Sequence, residues 1–311
     1  MAHPKLKTLN LIGAGRVGQT LARLLHQHGV FAIQDIVSRS TDGSAAAASF
    51  IGAGRAVTTL AQLQPADVYL LTVPDTQIEA TARQLAAHAA PPADASPAAF
   101  HCSGFLSASA VLGPLAARGW QIASLHPILS FAAPASAVDQ FAGTACGIEG
   151  DAALTQLLGD AVARIGGRPF PIDSQAKPLY HAAAVFESNF LPALHDVATR
   201  LWQAAGVPPE IIDTLGRSML QRQVDNILAM GARQALTGPA ARGDRAVVDA
   251  QHAAVTRWDQ AAGDAYAALS RLIETIRPGA LASAVSTVSP APEVSLALPI
   301  APTSSADRDT P

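Results

Sequence analysis

Charged residues and cysteines are scarce in this chain. Only 14% of its residues are charged, against about 25% in an average soluble domain. The 21 Lys and Arg residues do not outnumber the 24 Asp and Glu residues, so the basic excess of a nucleic-acid-binding protein is missing. With only Cys102 and Cys146, the chain can form neither a disulfide framework nor a four-cysteine zinc site. We therefore expect a reducing, cytoplasmic location, no nucleic-acid partner and no bound metal.

Long apolar runs are also absent. No window reaches the roughly 18 uninterrupted apolar residues of a membrane span, and the apolar stretch near the start is broken at Gly13. We therefore expect neither a membrane partner nor a signal peptide. What the chain has in excess is alanine, 66 of 311 residues, and small side chains favour close helix packing. At roughly 150 residues per domain, the length predicts two domains.

Short β-rich runs alternate with stretches of helical length from Thr8 to about Ile172. This alternation is typical of βαβ units around a parallel sheet. The continuous apolar character of Val68–Val73 indicates a strand that is covered on both faces. We predict strands at 8–12, 32–38, around 57, and at 68–73, 99–103, 121–125, 144–148 and 169–172. The first domain is therefore predicted over residues 1–174.

Strand signals stop after Ser174, and helical stretches follow at about 175–206, 208–235 and 244–277. They predict an all-helical second domain over residues 175–279. Pro192 lies in the middle of the first stretch and should kink or divide it. Residues 280–311 are rich in Ala, Ser, Thr and Pro, with no periodicity that could bury a face, which predicts a disordered tail.

A glycine-rich turn follows the first predicted strand and opens a helix. It matches the G-x-G-x-x-G pattern of dinucleotide-binding proteins and consists of Gly13, Ala14, Gly15, Arg16, Val17 and Gly18. The first glycine permits a tight turn, the second lets backbone amides approach a diphosphate, and the third allows helix and strand to pack closely. The helix N-terminus supplies positive potential. The alternative is a glycine turn in an α/β protein that binds no nucleotide.

The end of the second predicted strand favours NADP over NAD. A cofactor with a free 2′-hydroxyl is usually held there by Asp or Glu, about 20 residues after the glycine turn. This chain has Ser38, Arg39 and Ser40 instead, and a guanidinium between two hydroxyls suits a 2′-phosphate. The alternative is that Arg39 is a solvated loop residue, since Asp35 and Asp42 are also close in sequence.

Three segments follow predicted strands, where ligands of open α/β sheets bind. Thr72, Val73 and Pro74 should run past the nicotinamide ribose. Ser103 follows the fifth strand and His126 the sixth, so we expect them to converge and orient a substrate oxygen. The structural alternatives are that Ser103 caps the next helix and that His126 anchors its own loop.

Polar residues recur along the first helix of the second domain. Lys177 and His181 are spaced i, i+4 and share one face, and Asn189 lies about two turns further on. A partly buried Lys177 or His181 beside a nicotinamide would have a pKa near neutrality, which suits the proton that accompanies a hydride. The alternative is a polar stripe satisfied at a domain interface. Arg242 lies in a turn between helices and could clamp a substrate carboxylate or phosphate.

Several motifs together resemble a bacterial family of Rossmann-like proteins whose helical second half is classed as a domain of unknown function. The motifs are LIGAGRVGQTLA, HCSGFLS, SLHPILSF, K-x3-H-x7-N and ALTGPAARGD, and the likeness covers about residues 1–278. More distantly, the layout is similar to pyrroline-5-carboxylate reductases, β-hydroxyacid dehydrogenases and prephenate dehydrogenases. The resemblance implies an α/β fold, a Rossmann-type doubly wound, mostly parallel sheet followed by an all-α domain like the C-terminal domain of 6-phosphogluconate dehydrogenase.

The same resemblance implies roles for individual residues. Lys177-x3-His181 looks like the Lys-x3-Asn of β-hydroxyacid dehydrogenases, in which the Lys transfers the proton, although His replaces Asn here. Ser103 with His126-Pro127 is similar to the Ser and His-Pro that contact substrate in prephenate dehydrogenases. The resemblance further implies a homodimer formed through the helical domain.

These observations predict an NADP-dependent oxidoreductase. It would transfer a hydride to or from a small anionic carbonyl, imine or hydroxy compound in a cleft between the domains. Lys177 or His181 would handle the proton, and Asn189 and Arg242 would position the substrate. The alternative is a non-catalytic NADP-binding sensor or scaffold dimer, which predicts no cleft lined by Lys177, Ser103 and His126.

Overall fold

The computed structural model describes residues 6–88 and 97–276. Within them, eight strands form one sheet: β1 (Thr8–Ile12), β2 (Ala32–Val37), β3 (Arg55–Val57), β4 (Val68–Leu71), β5 (Ala98–His101), β6 (Gln121–Pro127), β7 (Ala145–Gly150) and β8 (Arg168–Pro171). Every predicted strand is confirmed, with ends that differ by at most two residues. The predicted tail at 280–311 lies outside the described residues.

Helices connect the strands and continue after the last one. Between strands lie α1 (Arg16–Gln27), α2 (Thr41–Ile51), α3 (Asp75–His88), α4 (Ala108–Ala116), α5 (Pro134–Gln140) and α6 (Ala152–Arg164). After the sheet follow α7 (Lys177–Ser188), α8 (Phe190–Ala204), α9 (Pro209–Met230), α10 (Ala232–Ala235), α11 (Pro239–Arg242), α12 (Arg245–Trp258) and α13 (Gln260–Ile276). None of the helices within residues 6–88 and 97–276 combines the length and apolar character that a bilayer crossing requires.

The strand order is β3-β2-β1-β4-β5-β6-β7-β8. Strand β7 runs antiparallel to β6, and the other neighbouring strands are parallel. The first six strands thus have the order of dinucleotide-binding Rossmann sheets, in which ligands occupy the crevice beside the first strand where the order reverses. The predicted doubly wound, mostly parallel sheet is confirmed.

Two apolar cores cover the two faces of the sheet. Successive strand residues point to opposite faces, so Leu70 packs in one core while Tyr69 and Leu71 pack in the other. Leu21 of α1 belongs to the first core and Ile78 of α3 to the second. This two-sided burial explains the unbroken apolar run of β4 and fixes the carboxyl ends of the central strands.

Each of the three predicted helical stretches consists of two helices. The division of the first is confirmed, but it falls at Asn189 rather than at Pro192. A proline ring clashes with the carbonyl four residues earlier, which here is Ser188, so the helix restarts with Pro192 as its third residue. The second stretch breaks at Gly231, whose φ is 82°. The third breaks at Asp259, whose side chain accepts from the Ala262 N–H.

The chain divides into two compact units between Leu194 and His195. The predicted boundary near residue 174 marks instead the point where the strands end. Helix α7, with Lys177, His181 and Asn189, therefore belongs to the same compact unit as the sheet. Arg242 belongs to the second unit.

Candidate functional site

The glycine turn has the backbone geometry that its sequence predicts. Gly13 has a φ of 92°, and a Cβ there would lie 2.6 Å from the backbone nitrogen of Val73. A Cβ on Gly18 would collide with the Thr72 hydroxyl, which itself donates to the Gly13 carbonyl. At Gly15 a Cβ would meet nothing within 4 Å. The first and third glycines are thus needed for packing, and the second faces open space.

The start of α1 is left free to bind an anion. Gly15 is its N-cap residue and supplies no side-chain cap, and the first turn contains no acidic residue. Unpaired N–H groups and the helix dipole favour a negative group at such a position. Arg16, Val17 and Gly18 form the first turn behind it. These features fit the diphosphate of a dinucleotide.

A cavity of about 700 Å³ opens in front of this turn. Its lining includes three segments that the sequence predicted as cofactor-binding: Gly13–Gly15, Ser38–Ser40 and Thr72–Pro74. Arg39 carries the only charge among the described residues of this lining. It forms no hydrogen bond or salt bridge with the described part of the chain, and it is exposed.

The two carboxylates close to Arg39 in sequence, Asp35 and Asp42, do not line this cavity. Asp35 is fully buried and forms a two-point pair with Arg55, at 2.8 Å from Nε to Oδ1 and 3.1 Å from Nη2 to Oδ2. It also accepts from the Gln64 N–H at 2.6 Å. Asp42 lies in the first turn of α2 and does not line the cavity. The cavity therefore presents a cation where NAD-binding proteins present a carboxylate.

The two serines beside Arg39 order the turn. Ser40 is the N-cap of α2, and its side chain accepts from the Gly43 N–H at 3.1 Å. The Ser38 hydroxyl donates to the Ser40 carbonyl at 2.9 Å. Their first role is thus to hold the loop that presents Arg39.

A second cavity, of about 780 Å³, lies beyond the end of β6 and along α7. It is lined by His126, Tyr180, His181 and Asn189, together with Glu187, Ser130, Ser188 and apolar side chains. Three of these residues were predicted as site residues. Tyr180 was not, although it lies directly beside His181 in the KPLYH segment, and that adjacency was the available signal.

Gly104 is wedged against both histidines of this cavity. A Cβ at Gly104 would lie 2.5 Å from Nδ1 of His181 and 2.7 Å from Nε2 of His126. The two imidazoles are nearly perpendicular, with ring centroids 5.6 Å apart. Only glycine fits here, so the residue after Ser103 brings the two histidines together.

His126 and Tyr180 form a hydrogen-bonded pair, with 2.8 Å between Nδ1 and the phenolic oxygen. Burial, then His181 and then Lys177, lower the pKa of His126 to about 4, so this imidazole is neutral at pH 7. Burial raises the pKa of Tyr180 to about 12, so the phenol keeps its proton. Nδ1 of His181 is buried and has no hydrogen-bond partner in the described chain.

Lys177 lies beneath the cavity and does not line it. It is completely buried; its Nζ donates to the Ser103 carbonyl at 2.9 Å and to the Ser124 hydroxyl, and it lies 3.7 Å from Oε1 of Glu149. Burial lowers the pKa of Lys177, and Glu149 opposes that shift. Because all three ammonium hydrogens face protein groups, this position fits a structural ion pair better than the predicted proton transfer.

The Ser103 hydroxyl has hydrogen-bond partners within the protein. It donates to Asp75 at 2.7 Å and accepts from the Leu106 N–H at 2.9 Å. It does not cap α4, since the N-cap of that helix is Ser107. The structural reason is that the chain makes a tight turn after β5, and the Ser103 hydroxyl closes it.

The Asp75–Ser103 bond links the two cavities. Pro74 lines the first cavity, and Asp75 follows it at the start of α3. Ser103 is followed by Gly104, which touches His126 and His181 of the second cavity. Asp75, next to the first cavity, is thus connected through Ser103 to Gly104, which contacts the second cavity.

The remaining two predicted residues differ in their surroundings. Asn189 is the C-cap residue of α7, and its Oδ1 accepts from the Ser188 hydroxyl at 2.6 Å. Arg242 is exposed and pairs with Asp244, at 3.0 Å from Nη2 to Oδ2. This pairing gives Arg242 a partner within its own turn, and it draws the Asp244 carboxylate away from capping α12.

Two separate segments of the chain match two family models. Residues 8–93 match the family described as NADP oxidoreductase, coenzyme F420-dependent, and residues 144–273 match the domain of unknown function DUF2520. The predicted resemblance to Rossmann-like proteins with this helical half is confirmed. The first match supports the predicted NAD(P)-dependent oxidoreductase. Among curated proteins, no relative matches.

Solved structures share the fold over most of the chain. A candidate NADP oxidoreductase from Bacteroides fragilis has a TM-score of 0.71 at 23% identity, over 86% of this chain and 98% of that one. Protein TM1727 from Thermotoga maritima has a TM-score of 0.65 at 28% identity, over 86% and 97%. A pyrroline-5-carboxylate reductase from Coxiella burnetii has a TM-score of 0.53 at 15% identity, over 86% and 99%.

Proposed function

We propose that this protein is an NADP-dependent oxidoreductase whose substrate binds in the second cavity. The observation that carries the proposal is the short connection from Pro74 through Asp75 and Ser103 to Gly104, which brings the coenzyme cavity beside two histidines. When bound, NADPH supplies a hydride from its nicotinamide ring, and NADP⁺ accepts one. The substrate is a small carbonyl, imine or hydroxy compound.

The groups of this chain then have distinct tasks. His181, one of the two residues predicted for the proton, lines the cavity with an unpartnered Nδ1. His126 and Asn189 orient the substrate, and Lys177 with Glu149 holds the floor of the site. No Lys or Arg lines this cavity within the described residues, so we do not retain an anionic substrate as part of the proposal.

Arg39 gives the proposal a direct test. The free guanidinium and the burial of Asp35 support a preference for NADPH over NADH. We expect Arg39→Asp to weaken NADPH binding about 10- to 100-fold, because charge-assisted hydrogen bonds contribute roughly 1.5–3 kcal/mol. NADH binding should stay the same or improve. Titration calorimetry with both nucleotides measures these affinities.

Arg118→Asp is the matched control, since Arg118 is exposed and lines neither cavity. Equal binding of the two nucleotides, unchanged by Arg39→Asp, would overturn the NADP assignment. A screen of carbonyl, imine and alcohol compounds, followed by NADPH absorbance, then separates the enzyme from the alternative sensor or scaffold. The alternative predicts binding without turnover for every compound.

A homodimer through the helical unit is also proposed. Among the described residues of α9 only Ile212 and Gly216 are buried, whereas Leu228 is 81% exposed and Val224, one turn earlier on the same helix face, is 42% exposed. Apolar surface of this kind usually marks an interface. Sedimentation equilibrium should report twice the chain mass. The free cysteines Cys102 and Cys146 are in keeping with the cytoplasmic location that we propose.

A further inference from the structure

Tyr180 is held in place from two sides. A Cβ on Gly147 of β7 would come within 2.9 Å of the phenolic oxygen, so the ring fits only because that strand residue is glycine. Phe170 of β8 contacts the ring edge-on, with centroids 6.2 Å apart. The hydroxyl is therefore placed by the sheet and not by a flexible loop.

The hydrogen bond between Tyr180 and His126 constrains the imidazole. A neutral imidazole has one N–H group and one nitrogen lone pair. The phenol keeps its proton at pH 7, because burial raises its pKa to about 12, and among the described residues the hydrogen-bond partner of its oxygen is Nδ1 of His126. Donation from the phenol to Nδ1 of His126 then leaves the ring hydrogen on Nε2.

Nε2 of His126 lies beside Gly104, and His126 lines the second cavity. This nitrogen lies 2.7 Å, and Nδ1 of His181 lies 2.5 Å, from the position that a Cβ on Gly104 would take. The two nitrogens thus converge on one face of the loop. Nδ1 of His181 has no partner in the described chain, and the tyrosine contacts His126 through the other ring nitrogen, Nδ1.

We propose that Tyr180 is a positioning residue that fixes His126 as a neutral N–H donor through Nε2, aimed at the atom of the substrate that gains negative charge. The inference deepens the proposed function and rests on it for the identity of that atom. A preorganised neutral donor stabilises such charge without transferring a full proton. The proton itself reaches the substrate from another group, for which His181 is the candidate.

The tautomer of His126 can be measured without substrate or coenzyme. Long-range ¹H–¹⁵N correlation spectra of the ¹⁵N-labelled full-length protein distinguish a ring nitrogen that carries hydrogen from one that does not, and His126→Gln assigns the signals. We expect Nδ1 of His126 to be unprotonated and Nε2 to be protonated at pH 7. In Tyr180→Phe, which removes one oxygen, we expect a mixture of both tautomers.

Tyr266→Phe is the matched control. Its hydroxyl donates to Gln251 in the second compact unit at 2.7 Å, so its loss should leave the His126 signals unchanged. The proposal is overturned if hydrogen resides on Nδ1 in the parent protein, or if Tyr180→Phe leaves the tautomer as it was. Thermal unfolding of Tyr180→Phe verifies that the variant is folded.

Kinetics provide a second readout once a substrate is known. Tyr180→Phe should lower kcat about tenfold, a smaller loss than the roughly hundredfold expected from removing a donor outright, while NADPH affinity stays within about twofold. An unchanged kcat would overturn the positioning role. Failure of the parent protein to bind NADPH would instead overturn the proposed function. The tautomer measurement would still test whether Tyr180 fixes the tautomer of His126.

Discussion

The two cavities of the first compact unit are built in different ways. Most of the lining of the coenzyme cavity comes from three continuous backbone segments, each placed at the end of a strand. The second cavity depends on side chains from β6 and α7 that meet across Gly104. A site of the first kind can be predicted from local sequence, whereas a site of the second kind depends on packing between distant segments. Substitutions at the second cavity should therefore affect stability or turnover without affecting coenzyme binding.

The largest effect, on the free energy of unfolding, is expected from the buried ion pair of Lys177 and Glu149 next to the second cavity. Lys177→Met would leave Glu149 buried without its cation, and removing one partner of such a pair costs about 3–5 kcal/mol of unfolding free energy. Urea unfolding measures the loss. Adding Glu149→Gln to this variant should restore part of it, because the orphaned charge is then removed.

A surface ion pair supplies the control. Arg83 and Glu79 are spaced i, i+4 on α3, and both are exposed, so Arg83→Met should cost less than about 1 kcal/mol. Equal losses from Lys177→Met and Arg83→Met would show that the buried pair does not support the second cavity.

Gly104→Ala should impair the second cavity while the coenzyme cavity keeps its function. The added methyl group must displace His126 or His181, and overpacking of this kind costs about 1–3 kcal/mol. We expect turnover to fall at least tenfold, with NADPH affinity retained. Gly159→Ala is the matched control, since a Cβ there meets nothing within 4 Å. Loss of NADPH binding in Gly104→Ala, measured by calorimetry, would contradict the separation.

The smallest expected effect is a dependence of stability on pH that originates near the second cavity. Burial and, less strongly, the charge of Lys177 lower the pKa of His101 from 6.5 to about 3. Between these values the unfolded chain binds a proton that the folded chain does not, so stability falls as the pH drops. From pH 7 to 5.5 the loss is about 1 kcal/mol.

The matching measurement is urea unfolding at both pH values. His101→Asn should reduce the loss by about that amount, whereas substitution of His88, an exposed residue at the end of α3, should not. An identical pH dependence in all three proteins would exclude His101 as its source.

Most of the fold was predictable, because the periodicities that reveal strands and helices are local. The strands were found to within two residues, and the glycine turn was placed correctly between β1 and α1. The helix divisions at Gly231 and Asp259 were missed, since a single residue with positive φ or an extended backbone leaves the surrounding apolar pattern unchanged. The separation at Leu194 depends on packing that no local pattern reports.

The candidate site was predictable only in part. Position relative to strand ends pointed to His126, and helix spacing pointed to His181; both residues line the second cavity. The same spacing gave no means to tell that Lys177 lies beneath the cavity, because burial depends on Glu149 and Ser124 from other strands. Tyr180 and Gly104 were missed as site residues, since their importance lies in contacts with His126 across the fold.

The buried pair of Asp35 and Arg55 bears on any attempt to redesign coenzyme preference. Asp35 lies on the strand whose end selects between the two nucleotides, yet its carboxylate is committed to Arg55 and to the Gln64 backbone. Releasing it would disrupt the sheet edge before it reached a ribose. A carboxylate that selects NAD would have to be placed on the exposed turn itself, where it leaves the buried pair of Asp35 and Arg55 intact.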